Sequence, residues 1–136
     1  FRVTFKEVSY TSNNEENKIA IGLSEAPVDS GMIWTSSGGS GSITYYENIS
    51  TGQYLATRDS SSFDTSSVDV DWSSNHDISI EWVAGKARLL IDGTLAAETT
   101  NSIPTGVLSP KFQVQDYSNN STGETLECEQ VIVEAL

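Results

Sequence analysis

Between Ser74 and Glu98 the chain reads SNHDISIEWVAGKARLLIDGTLAAE. Ile78, Ile80 and Trp82 alternate with Ser79 and Glu81. A period of two is the pattern of a strand with one buried face. Ala84-Gly85-Lys86 then reads as a turn, and Ala87, Leu89 and Ile91 resume the alternation. Asp92-Gly93 follows, a pair suited to a type I′ turn because both central residues need positive φ. Leu95 and Ala97 carry the return strand. Three strands joined by tight turns commit this stretch to an antiparallel meander, and a meander must hide one face against something.

The flanking sequence repeats the motif at short spacing. Phe1 to Tyr10 is predicted as a strand, with Val3 and Phe5 on one face and Val8 and Tyr10 on the other. Further strands are expected at Lys18–Leu23, Gly31–Thr35, Ile43–Glu47 and Gln53–Arg58. Val68, Val70 and Trp72 alternate with Asp69 and Asp71 and predict another, whereas DSSSFDTS from Asp59 reads as a polar loop. Lys111–Tyr117 and Thr125–Glu134 complete the set. The apolar parity changes near Glu129-Gln130, which predicts a bulge or an edge there. No segment carries a 3.6-residue period. Many short strands with regular turn signals imply an all-β sandwich or barrel, and 136 residues suit a single domain spanning 1–136.

Charge and cysteine content narrow the function classes. Seven Lys and Arg against 19 Asp and Glu give a net charge of −12. Such a surface repels nucleic acid and anionic membranes. There is no run of about 18 apolar residues for a membrane span, so no membrane insertion is expected. A single cysteine, Cys128, excludes an internal disulfide and a cysteine zinc site; it reads as a small buried hydrophobe. Abundant Ser, Thr and Asn suit an extracellular or cell- or virion-surface domain. Sequons begin at Asn48, Asn119 and Asn120, all in predicted turns. A chain opening on Phe1 is expected to be a mature product or a fragment.

The stretch from His76 to Gly93 resembles a recurring segment of the concanavalin A-like lectin/glucanase superfamily. The matching residues are His76, Ile80, Trp82, Ile91, Asp92 and Gly93. A proline loop at Ile103-Pro104, the strand from Phe112 and the closing apolar strand extend the resemblance over roughly Val68 to Leu136. It implies a two-sheet antiparallel jelly-roll β-sandwich, with glycans bound on or beside a concave face and calcium in several members. The superfamily's hydrolytic strand motif, Glu-x-Asp-x-x-Glu, has no counterpart here. Those sandwiches usually run longer, so N-terminal strands are expected to be missing or borrowed from another molecule.

Each candidate site competes with a plainer role. Glu127 and Glu129 stand two apart on a predicted strand, a spacing compatible with a carboxylate pair, but Cys128 lies between them. A Ser-His-Asp site would need His76, which the resemblance makes structural. Calcium seeks several oxygen ligands, and Asp69 and Asp71 share a predicted strand face, with Asp59, Asp64, Asp77 and Asp116 in or beside loops. Aromatic faces stack on sugar rings. Trp34, Tyr46 and Tyr54 are the candidates, with Tyr46 and Tyr54 expected to be exposed, while Trp72 and Trp82 are in phase with core residues. The reading that follows is a non-enzymatic extracellular surface domain that binds glycans or mediates adhesion. The alternative is a structural subunit of a filament, sheath or virion surface, assembled from copies of itself by strand exchange or sandwich packing. A glycoside hydrolase comes third.

Overall fold

The computed structural model describes residues 1–11, 18–25, 41–48, 51–115 and 125–136. Within them are eleven strands and no helix. They are β1 (Arg2–Thr11), β2 (Lys18–Ser24), β3 (Ser42–Asn48), β4 (Gly52–Arg58), β5 (Phe63–Val68), β6 (His76–Val83), β7 (Lys86–Ile91), β8 (Thr94–Thr99), β9 (Ser109–Gln115), β10 (Thr125–Glu127) and β11 (Gln130–Glu134). Sheet 1 has the order β10-β1-β6-β7-β8, with β11 also lying beside β1. Sheet 2 has the order β5-β4-β3-β2-β9. Every pairing is antiparallel. The two sheets pack face to face as a β-sandwich.

Strands β6 and β7 of the meander form as their alternation predicts, but a register shift between Leu89 and Leu90 pairs Leu95 of β8 with Leu90 and leaves it 54% exposed, so only Ala97 of the return strand turns to the core. Ile78 and Ile80 are buried beside Leu89 and Ala87. Both turns are held by paired positive φ angles, 51° and 73° at Ala84-Gly85 and 52° and 77° at Asp92-Gly93. That is the backbone twist a two-residue hairpin requires. Across the interior, Ile19, Ile21, Ile43 and Leu55 of sheet 2 are fully buried against Val3, Phe5, Ile78 and Ile80 of sheet 1. Each such side chain contributes about 1.5–3 kcal/mol on burial.

Strand β1 departs from the simple alternation. Val3, Phe5, Val8 and Tyr10 all enter one core, where strict alternation puts the second pair on the opposite face. Glu7 has φ 51°, and the register against β6 shifts between Phe5 and Val8. The extra residue turns Val8 and Tyr10 back inward. On the other side of β1 the final segment breaks in step: β10 pairs with Ser9–Thr11, β11 pairs with Arg2–Lys6, and Glu129 N donates to Lys6 O at 3.0 Å. The parity change at Glu129-Gln130 is therefore the partner of the bulge in β1. The same break leaves Glu127 at the end of β10 and Glu129 between β10 and β11, so the two carboxylates weighed as a pair do not share one strand.

A second departure lies between β4 and β6. The run at Phe63–Ser66, read from sequence as loop, belongs to a strand along β4. The alternating Val68-Asp69-Val70-Asp71-Trp72 segment leaves that strand after Val68. Gln53 accounts for this: its Nε2 donates to Val70 O at 3.0 Å, and its Oε1 accepts from Val70 N. Trp72 then packs against the main core. The apolar alternation thus serves a loop that caps the sandwich.

The outward face of sheet 1 carries a row of charge. Glu134, Arg2, Glu81, Arg88 and Glu98 follow one another across β11, β1, β6, β7 and β8, and Lys86 adds a second cation at Glu98. Four of the chain's seven basic residues are spent in ion pairs on this sheet: Arg2, Lys6, Lys86 and Arg88.

Candidate functional site

Two clusters of polar side chains occupy opposite ends of sheet 2. At one end, the β4–β5 turn and the β8–β9 loop enclose a cleft of about 390 Å³. Asp59, Ser60 and Ser61 form one wall, and Ile103, Pro104, Thr105 and Gly106 the other, with Glu25 at the base of the loops.

The first wall is built by an aspartate turn. Asp59 Oδ1 accepts from Ser61 N at 2.7 Å and Ser62 N at 2.8 Å. Short polar side chains mimic a backbone turn in this way. The two backbone donors, together with the Ser61 and Ser62 hydroxyls, pull the Asp59 carboxyl down to about 2, so it stays ionised at any physiological pH. The opposite wall is tied to it. Ser62 Oγ lies 2.9 Å from Ser102 Oγ, Thr57 Oγ1 donates to Asn101 O at 2.9 Å, and Thr99 Oγ1 donates to Asp64 Oδ2 at 2.8 Å.

Glu25 fastens the third side. Its Oε1 accepts from Gly106 N at 3.1 Å and its Oε2 from Gly41 N at 3.0 Å. Packing requires the glycine at 41, while at 106 a side chain would displace the end of Glu25. A Cβ at Gly106 would lie 2.1 Å from Glu25 Oε1, and one at Gly41 would lie 2.5 Å from Pro104 Cβ. The carboxylates of Glu25 and Asp59 are therefore committed to backbone amides. What faces the cleft is a mixture of hydroxyls, carboxylate edges and the apolar surface of Ile103 and Pro104. Phe63, two residues beyond Ser61, is 60% exposed.

The other end holds a buried polar cluster. Glu47 is 7% exposed, and its Oε2 accepts from Tyr45 Oη at 2.6 Å and Trp72 Nε1 at 2.7 Å. Desolvation, then the neighbouring Glu47 charge, pushes the Tyr45 phenol well above its ordinary range. Trp72 meets Tyr10, Tyr45 and His76 edge-on. His76 Nε2 reaches Asp71 O at 2.7 Å. These groups close this end of the core.

The candidate residues from sequence are scattered by the fold. Tyr46 is 1% exposed, not an open ring: it sinks between its cross-strand neighbour Ala20 and Ala56, with Tyr54 beside it. Tyr54 is half-buried, and its hydroxyl donates to Thr51 O. Asp69 and Asp71 lie in the capping loop, not on a strand, and Asp71 Oδ1 accepts from Ser73 N at 3.0 Å. Among the described residues no three His, Cys, Asp or Glu side chains gather to hold a metal. Asn48 ends β3 at 8% exposure, where a free turn was expected. Trp34, Asn119, Asn120 and Asp116 lie outside the described residues.

Sequence reasoning missed the cleft because its parts come from three separate loops. The signal was local: an Asp followed by three serines is a strong aspartate-turn sequence, and Phe63 is the sole aromatic in that hydroxyl-rich run. A scan against protein-family models found no match, and no curated protein matches the chain.

Proposed function

We propose that this chain is a non-enzymatic surface domain of concanavalin A-like type, which binds a glycan in the cleft between the β4–β5 turn and the β8–β9 loop. The observation that carries the reading is the make-up of that cleft. Its volume of about 390 Å³ falls in the range of roughly 300–1,000 Å³ common for small-ligand sites. Ser60 and Ser61 hydroxyls and the backbone of Thr105 offer polar partners for sugar hydroxyls. Ile103 and Pro104 offer an apolar patch for a ring face, and Phe63 an exposed ring nearby. Commitment of Glu25 and Asp59 to backbone amides favours binding over catalysis, because a general acid or base needs a carboxyl free to exchange a proton. Calcium is not required by this reading. The residues that shape the cleft sit on turns braced across both sheets, which suits a preformed site.

The test is a broad glycan array, run with and without a chelator. Binding to a defined glycan class, lost on Ser61→Tyr and weakened on Phe63→Ala, is the expected result. Silence across the array, with the protein folded by circular dichroism, would overturn it.

A further inference from the structure

The lining of the cleft carries a charge bias that its shape alone does not convey. Glu25 and Asp59 border it, and among the described residues no basic side chain does. All seven Lys and Arg of the chain, and its one histidine, lie within the described residues, so each can be placed. Four of the seven are held in ion pairs on the outward face of sheet 1. Lys18 and Lys111 alternate with the core residues Ile19 and Phe112 and so project from the outer face of sheet 2. Arg58 pairs with Phe63 on that same face, and the two border a separate depression of about 10 Å³. His76 is bonded to Asp92 and Asp71 at the other end of the sandwich. The groups that hold the Asp59 carboxylate are amides and hydroxyls of Ser61 and Ser62, and those that hold Glu25 are the amides of Gly41 and Gly106. Such donors solvate a carboxylate and leave its charge in place.

We propose that this cleft selects its glycan by charge: it takes an uncharged glycan and turns away one that carries carboxylate, sulfate or phosphate. The proposal rests on the reading of the cleft as a glycan site and names the class of glycan. An anionic group entering the cleft gives up part of its hydration and finds no cation to pair with, while two like charges face it. Specificity of this kind comes from a repulsive element set against the wrong ligand. A sugar hydroxyl meets no such barrier, because it can donate to a carboxylate edge or exchange bonds with Ser60 and Ser61. A protonated amine is disfavoured as well. Both carboxylates already serve backbone amides, and partly exposed, shared charge repays little of an amine's lost hydration. Asp59 is the residue through which the selection can be tested. Asparagine builds the same kind of turn and keeps an oxygen for the Ser61 and Ser62 amides, but it carries no charge.

The test uses tagged glycans in matched pairs, titrated into the 136-residue chain and followed by fluorescence anisotropy. Cellotetraose is compared with its uronic-acid form, N-acetyllactosamine with its sialylated and sulfated forms, and chitotetraose with its deacetylated, amine-bearing form. Any other neutral glycan that the broad array picks out joins the set with its own sulfated form. Wherever a neutral glycan binds, its acidic counterpart should bind at least about tenfold more weakly, and the amine-bearing form should bind no tighter than the acetylated one. The gap between neutral and acidic members should shrink as salt rises from about 0.05 to 0.5 M. Asp59→Asn should narrow that gap to about threefold. Glu127→Gln removes the same charge from an exposed position on β10 of sheet 1 and should leave the gap as it is. Three results overturn the selection and leave the cleft a glycan site: equal binding within a pair, tighter binding of an acidic or amine-bearing member, or a gap that Glu127→Gln narrows as much as Asp59→Asn does. Silence of every pair and of the broad array, with the protein folded, overturns the glycan reading and this inference with it.

Discussion

His76 Nδ1 lies 2.7 Å from Asp92 Oδ2, while its Nε2 lies 2.7 Å from the Asp71 carbonyl. Both ring nitrogens thus face acceptors. A neutral imidazole can donate to only one of them; the imidazolium satisfies both. Asp92 in turn accepts from Asp77 N at 2.8 Å through its other oxygen, so the Asp-Gly corner of the meander is bound to the start of β6.

Stability should therefore depend on pH through this pair. Partial burial pulls the His76 pKa down, but the hydrogen bonds it donates to Asp92 Oδ2 and Asp71 O outweigh it and raise it above 6.5. Its contribution is complete below 6.5 and fades as pH rises through the higher folded value. Asp92 is held below 3.8, burial being outweighed by its bonds to His76 and Asp77, and its contribution is lost as pH falls through that lower value. The joint optimum lies between 3.8 and 6.5. The size is at most about 1 kcal/mol, because the Asp92 carboxylate is half exposed and solvent-screened. Thermal melts from pH 5 to 8 should show a decline in the wild type that His76→Gln flattens.

Glu81 is the centre of the charge row on sheet 1, with Arg2 bound to Oε1 and Arg88 3.6 Å from Oε2. Its side chain is 7% exposed, while Arg2 and Arg88 are 33% and 39% exposed. Glu81→Gln should cost about 1–2 kcal/mol, less than for a fully buried pair because both guanidiniums retain water and second partners. Arg2→Ala combined with Glu81→Gln should cost less than the two singly, since they share one interaction. Urea denaturation of the four species gives the cycle.

The meander shows how far a sequence can be read. Alternation from Ile78 to Ile91 and the two-residue turns at Ala84-Gly85 and Asp92-Gly93 are local, and they fix strand, turn and face together; the face of Leu95 was not legible, because it depends on a register shift against β7. Phe63–Ser66 was not legible because its strand character comes from pairing with β4 and not from its own serines. The Val70–Trp72 alternation misled for the converse reason: Gln53 and Glu47, distant in sequence, capture those residues in a loop. Tyr46 looked exposed because adjacent tyrosines must face opposite ways, yet its outward ring is buried in a cluster with Ala20, Ala56 and Tyr54. The cleft depends on Glu25 meeting Gly41 and Gly106, contacts that no spacing rule foretells.

Gly106→Ala should act through Glu25. The added methyl would occupy the position of Glu25 Oε1, so the carboxylate must swing away and release the amides of Gly106 and Gly41. Loss of two such bonds to a charged acceptor should cost about 2–3 kcal/mol at most, and less where water replaces them. If the cleft binds glycan, Gly106→Ala should weaken that binding without lowering the melting temperature enough to unfold the chain at 25 °C.

Glu47 gives the last prediction. Its buried carboxylate accepts from Tyr45 Oη and Trp72 Nε1, and both donors lose water on folding. Glu47→Leu would fill the volume but leave the Tyr45 phenol without its acceptor and the Trp72 indole N–H only the longer bond to Tyr45 Oη at 3.3 Å, at a cost of about 1–3 kcal/mol. Trp72→Phe removes one donor and part of the ring that meets Tyr10, Tyr45 and His76, and should cost about 2–3 kcal/mol. The more instructive variant is Glu47→Gln, which keeps an acceptor oxygen for both donors but removes the charge and adds an N–H. If the carboxylate is there to seat Trp72, Glu47→Gln should shift the near-ultraviolet circular dichroism of the tryptophan and destabilise by about 1–2 kcal/mol. It should also slacken the 69–75 loop, seen as faster amide hydrogen exchange at Val70 and Trp72, while exchange in β7 and β8 stays unchanged.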